Sequence, residues 1–510
     1  MTPAPSRLGF LDDRVNPIVV KELRQAVKSW FIVGLLLLLL AVLTLILLLW
    51  VMSGTDLGST SSDQGRRLFL VFQGTLLAVT LLGLPVYTGV RLAAERASAT
   101  SDLLYVTTIK PRSIVWGKLA AGVAVTLLVF AACAPFMIVT YLLRGIDPPT
   151  ILFVLGLDFL LVLSGLVLAI FVGALPVGIG MKVFLGLIAV GTLVWAYGIT
   201  TGFVAFELVG SGVISGLWDP DFLVGLIVTL AVWGAGLLLL LLLVVAMIAP
   251  DAADRARPLR TFVTLAWAAG GALATAVAWG QADGGFLVVW LLCSGLVLLP
   301  ALLVASSERD AFGPRQRRSV PRRPLPRAFS ALFSSGAAAG LVWATLLMGL
   351  TILLTYVLAP SLDPRGFDAE EAGHLATGAG VCTLYVLGYC LLACVFRRLF
   401  LKNPRKQAAT GAVAAVLMAA GMLLPPLLAF AVDPRGWDRS EAGWLILNPF
   451  AAVVRDGPEA LVPYDLVVLG VSSGLVLVGL ALNARWILAQ WKRYAPLDPG
   501  APGGGSAVAP

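Results

Sequence analysis

Charge is what this sequence is short of. Asp, Glu, Lys and Arg make up 13% of its 510 residues, where soluble domains carry about a quarter. That excludes a soluble fold, and hydrophobic residues reach 59% instead. Histidine occurs once, at His374, so a metal centre built on histidines is excluded and no role is assigned to it. The five cysteines, Cys133, Cys293, Cys382, Cys390 and Cys394, all lie inside apolar runs, which indicates neither a disulfide framework nor a zinc site. Cys390 and Cys394, four residues apart, read as small apolar residues on one face of a buried helix. A GxxxxGK[ST] phosphate loop is missing too. The only Gly-Lys pair, Gly117–Lys118, has Arg112 where the first glycine belongs and Leu119 after the lysine. No polar stretch of ~100 residues could fold as a nucleotide-binding domain. The chain is therefore expected to bind no cofactor, no metal and no nucleic acid.

What the sequence has is apolar runs. Crossing a bilayer takes about 20 such residues. By that length, spans are predicted near 30–52, 68–90, 115–143, 151–175, 183–204 and 222–249, then near 261–280, 286–306, 333–360, 374–396, 408–432 and 464–488. The fold class expected is all-α, a polytopic integral membrane helical bundle of about twelve transmembrane helices. Orientation follows from the basic residues. With a cytoplasmic N-terminus, only seven of the 36 Lys and Arg fall in outward loops: Arg66, Arg67, Arg144, Arg365, Arg435, Arg439 and Arg455. One span more or fewer would invert everything downstream and spoil this partition. Both termini are expected in the cytoplasm.

The polar segments divide the chain. Residues 1–29 read as a cytoplasmic amphipathic helix: Asn16 and Pro17 start it, and Val19, Leu23 and Val27 repeat between Lys21, Arg24 and Lys28. Residues 30–250 then form one six-span unit. A link at 251–260 leads to a second unit at 261–495, and a Pro/Gly/Ala-rich tail at 496–510 reads as disordered. The Arg- and Pro-rich segment Glu308–Arg327 is expected to be irregular, because proline opposes a helix. Its arginines fit contact with anionic lipid headgroups near 309–327, or else a partner site. The outward loop DPRGFDAEEAG, from Asp363, recurs 70 residues later as DPRGWDRSEAG from Asp433. The spans around the two copies, 333–396 and 408–488, therefore look like duplicated hairpins. The loop acids read as turn and capping residues, or alternatively as outer-face catalytic carboxylates.

Two places carry chemistry. Glu95 to Lys118 is a polar island between two spans, with Arg91, Arg96, Lys110, Arg112 and Lys118 in or beside it. Thr100 or Ser101 ahead of Asp102, Leu103 and Leu104 is one helix-start signal, and Pro111 is a second. The spacing predicts a short helix, a break near Thr108, and a helix that continues into the membrane. Apolar residues on a short helix beside the bilayer point to contact with a soluble partner. The other place is Asp158, an acid well inside a span. Its insertion costs about 2.5–3.5 kcal/mol at a helix centre, so it faces the bundle interior or water, with a hydrogen bond to a neighbouring helix or a substrate or proton role.

The island resembles the coupling segment of the permease subunits of type-2 ABC exporters. Those carry a segment close to E-R-x-x-G-T-x-x-L-L-x-x-T-P followed by G-K. This chain has Glu95-Arg96, Thr100, Leu103-Leu104, Thr107 and Gly117-Lys118 at matching spacing, with Ala99 for the glycine and Thr108 for the proline. NPIVVKELRQ, from Asn16, resembles the family's N-terminal helix, and the likeness covers residues 15–250. It implies an exporter subunit with coupling segment 91–118, not itself an enzyme, in the cytoplasmic membrane of a prokaryote. A separate P-loop ATP-binding subunit would use the ATP and dock on Glu95, Arg96, Thr100, Asp102, Leu103, Leu104 and Tyr105. One copy of the motif implies a homodimer, or else a pseudo-dimer with 308–327 as a degenerate second dock. The competing classes are an ion-coupled secondary transporter using Asp158 and a membrane-embedded transferase.

Overall fold

The computed structural model describes residues 17–52, 62–97, 111–143, 146–208, 219–250, 253–310, 316–317, 320–363, 369–401, 403, 407–432, 446–449 and 462–494. It contains no strand among them. Fourteen α-helices follow one another. The first seven are α1 (Pro17–Val27), α2 (Trp30–Met52), α3 (Ser62–Ala97), α4 (Pro111–Leu142), α5 (Pro148–Ala174), α6 (Ile179–Phe203) and α7 (Pro220–Ile248). The rest are α8 (Ala256–Gln281), α9 (Gly285–Ser306), α10 (Pro324–Phe333), α11 (Ala337–Leu362), α12 (Ala369–Phe400), α13 (Thr410–Val432) and α14 (Val462–Arg493). All but α1 and α10 are long and apolar enough to cross a membrane, giving twelve such helices among the described residues. In hydrocarbon every backbone N–H and C=O must be satisfied internally, which is why the apolar runs fold as unbroken helices. The protein is an integral membrane helical bundle. It divides into two compact units, Met1–Pro250 and Asp251–Pro510.

In the first unit α3 lies along α5. Small residues allow the approach: a methyl group added at Gly173 would stand 2.9 Å from the Gly89 carbonyl oxygen, so only glycine fits there. α4 packs beside this pair, and α6 and α7 flank α5. α1 packs on the start of α4, with Glu22 and Ala26 buried and Val27 exposed. The inward stripe of α1 is thus rotated away from Val27, because Glu22 has a cation to meet.

In the second unit α9 pairs with α11, and α12 is central, packing on α11, α13 and α14. Two expectations change here. The segment 308–327 is not irregular throughout. Pro324 opens α10 after Arg323, at the first-turn position where its fixed φ and missing N–H cost nothing. Phe333 therefore belongs to this short helix, and the ninth span begins at Ala337. The last helix also packs most extensively on α12 and not on α13, its expected hairpin mate.

Candidate functional site

Three elements meet where the chain leaves the second span and enters the third. α3 ends with Arg91 and Glu95 on its last turns, α4 starts at Pro111 and carries Lys118 two turns on, and α1 lays Glu22 against both. The Lys118 ammonium stands 2.7 Å from Glu22 Oε1 and 2.7 Å from Glu95 Oε2. Arg91 lies 3.9 Å from an oxygen of each acid. It also donates to Tyr87 Oη at 2.9 Å and to the Gln25 side-chain oxygen. Tyr87 stacks on Phe31 of α2 with ring centroids 5.3 Å apart, tying the first span into the cluster. Glu22 and Lys118 are each only 8% exposed. Burying charge is tolerable when it is paired, and here two acids meet two bases. A cavity of about 40 Å³ beside them, lined by Glu22, Thr88, Arg91 and Lys118, has room for water.

The segment expected to dock a partner starts and ends at this cluster. Glu95 and Arg96 belong to the final turn of α3, while Thr100, Asp102, Leu103, Leu104 and Tyr105 lie outside the described residues. α3 ends at Ala97 and α4 begins at Pro111, and the Glu95–Lys118 pair ties the two helices together there. Glu95 is therefore engaged within the chain, with its side chain 35% exposed. The sequence did not single out Glu22. The available signal was an acid on the apolar stripe of a basic helix, beside Val19 and Leu23.

Asp158 sits on α5, fully buried, facing α3. Gln73 Nε2 donates to both of its carboxylate oxygens, at 2.9 and 3.0 Å. Gln73 is fully buried as well, and its side-chain oxygen has no partner among the described residues. The hydrogen bond to a neighbouring helix expected of Asp158 is present. Gln73 is the residue that sequence reasoning missed, although a glutamine inside an apolar run was there to be noticed.

The second unit holds a different charged cluster. Arg260, on α8, pairs with Glu308 at 2.6 Å and donates to the carbonyls of Leu332, Ser334 and Gly336. Glu308 also accepts from the Gly336 N–H, yet burial outweighs both partners and pushes its carboxyl above the usual range. Arg397, on α12, pairs with Asp310 at 2.7 Å and donates to the carbonyls of Ser306 and Glu308. Asp310 accepts further from Trp486 and Gln490 of α14. These contacts stitch α8, α9, α11, α12 and α14 together at one end of the unit. Arg322 and Arg323, expected near lipid, are exposed just before α10, whose Leu325 and Phe329 are exposed too.

No group of three or more His, Cys, Asp and Glu capable of holding a metal exists among the described residues. Comparison with known proteins adds no relative: no family model, no curated protein and no solved structure matches the chain.

Proposed function

We propose that this chain is the membrane-spanning permease subunit of an ATP-driven exporter, powered by a separate ATP-binding subunit that docks on residues 95–110. The observation that carries this reading is the Glu22–Lys118–Glu95 bridge. A partner that engages residues between Ala97 and Pro111 acts beside a joint where α3, α4 and α1 are held by buried charge. Motion there passes into two membrane spans at once, as nucleotide-driven switching between inward- and outward-open states requires. The likeness of residues 95–118 to the coupling segment of type-2 ABC exporters supplies the partner class. With one such segment per chain, two ATPases would be met by a homodimer, in a prokaryotic cytoplasmic membrane with the basic ends inward.

The test is a mild-detergent pulldown of the tagged chain from its native membrane, run beside a Leu103→Asp, Leu104→Asp variant. A P-loop ATPase that copurifies with the parent and is lost from the variant is the expected result. If cross-linking captures no ATPase, the reading fails. The buried Asp158–Gln73 pair would then favour ion-coupled transport, with Asp158→Asn abolishing substrate movement.

A further inference from the structure

α6 does not lie flat on its neighbours. Its C-terminal half is anchored: Leu193 is buried near Gly165 and Pro85, and Tyr197 reaches Gly74 on α3. Its N-terminal half lines a gap beside α3 and α5, where a Cβ added at Gly186 would meet nothing within 4 Å. The gap is a cleft of about 840 Å³ between α3, α5 and α6. That volume falls within the roughly 300–1,000 Å³ of ligand pockets. The walls are hydrocarbon, from Val90, Leu168, Val172, Val183 and Leu187, and the floor is the close glycine contact of α3 with α5. Ile179 and Leu187 on the rim are 79% and 67% exposed, so the cleft opens sideways, where a membrane helix meets lipid.

Among the described residues one charged side chain lines the cleft, and its position is informative. Lys182 is on the first turn of α6, at the end where α5 stops, and its ammonium lies 3.5 Å from the Gly173 carbonyl. Ala93 and Ala94 of α3 line the same end, one turn or less before Glu95 and the ionic cluster. A lysine at a span terminus puts its ammonium at headgroup depth. A long apolar slot, open to the bilayer and capped by one cation, matches an amphiphile with a single negative head. A soluble anion would leave the hydrocarbon walls unused.

We propose that this cleft holds one anionic phospholipid of the surrounding bilayer, with an acyl chain between α3, α5 and α6 and its phosphate on Lys182. The site belongs to the first unit alone and does not depend on ATP coupling.

The test is native mass spectrometry of the full chain released from nanodiscs of equimolar phosphatidylglycerol and phosphatidylcholine. One retained lipid per chain is expected, with phosphatidylglycerol favoured about fivefold, the value of one interfacial lysine toward an anionic lipid. Lys182→Gln should keep a bound lipid and lose the preference, and Lys182→Arg should restore it. Gly186→Phe, which fills open space, should expel the lipid while the protein stays monodisperse. Equal retention of the two lipids by the parent chain overturns the proposal, and so does an unchanged lipid count in Gly186→Phe. If Gly186→Phe instead reduces oligomer size with the lipid count intact, a second copy of the chain occupies the cleft and the proposal is wrong.

Discussion

Each unit gathers its buried cations into one cluster, but the two clusters are built differently. In the first unit the partners of Lys118 are two carboxylates on two other helices, one of them partly exposed, and a 40 Å³ cavity adjoins the site. In the second, Arg260 and Arg397 are wrapped by main-chain carbonyls as well as acids, and their side chains are 4% and 2% exposed. Each arginine holds several acceptors on different segments at once, so moving it means breaking all of those contacts together. A lysine between two carboxylates can shift its share of charge from one to the other at small cost. The first arrangement suits a joint that moves; the second suits a clamp that does not.

The sharpest way to break this contrast is to remove a cation from each side. Arg397→Met should be the most damaging change, because it leaves Asp310 without its cation and two carbonyls without their arginine donor. A loss of about 3–5 kcal/mol is expected, read as lowered unfolding midpoint or yield in detergent. Lys118→Met should cost about 3 kcal/mol by leaving buried Glu22 only the more distant Arg91, and Glu22→Gln added to it should recover most of that stability. On the reading of a moving joint, the double variant stays uncoupled from the ATPase, measured as the loss of substrate-stimulated ATP hydrolysis in reconstituted vesicles. If it couples normally, the joint is only a structural pair and the contrast collapses.

Asp158→Asn sharpens the comparison from another side, since Gln73 can pair with an amide as well as with a carboxylate. A stability change of about 1 kcal/mol or less is expected, with transport retained. Loss of transport at unchanged stability would move the working residue from the joint to the membrane interior. The smallest effect belongs to Glu95→Gln, about 0–1 kcal/mol for a partly exposed pair. Salt should screen that difference in the unfolding midpoint, whereas a salt-independent effect would mean that Glu95 is more enclosed than its exposure indicates.

The bundle was legible because its driving force is written locally: a run such as Trp30–Met52 must become a helix to satisfy its backbone in lipid. Pro17 and Pro111 marked helix starts for an equally local reason, a fixed φ. The same rule was missed at Pro324, where arginines and four prolines drew attention to what opposes a helix and away from what can begin one. The ionic cluster was not legible. Lys118 and Glu22 are 96 residues apart, and nothing in either neighbourhood names the other. Asp158 stood out alone in its span, but choosing Gln73 as its partner needed the register of α3 against α5, which small residues such as Gly89 and Gly173 set only in three dimensions. For the lipid cleft, the sequence offered glycines that could equally have been filled by a neighbouring helix.

The clamp of the second unit has a consequence for how the protein is made. Arg397 emerges from synthesis after Ser306, Glu308 and Asp310, so its acceptors are already in place when it arrives. Asp310, by contrast, waits for Trp486 and Gln490, which are synthesised later than Arg397. Until α14 has inserted, that acid lacks two of its donors, and a chain cut short before Val462 would carry the deficit permanently. One aspartate thus makes the polar satisfaction of the clamp depend on a helix made more than 150 residues after it.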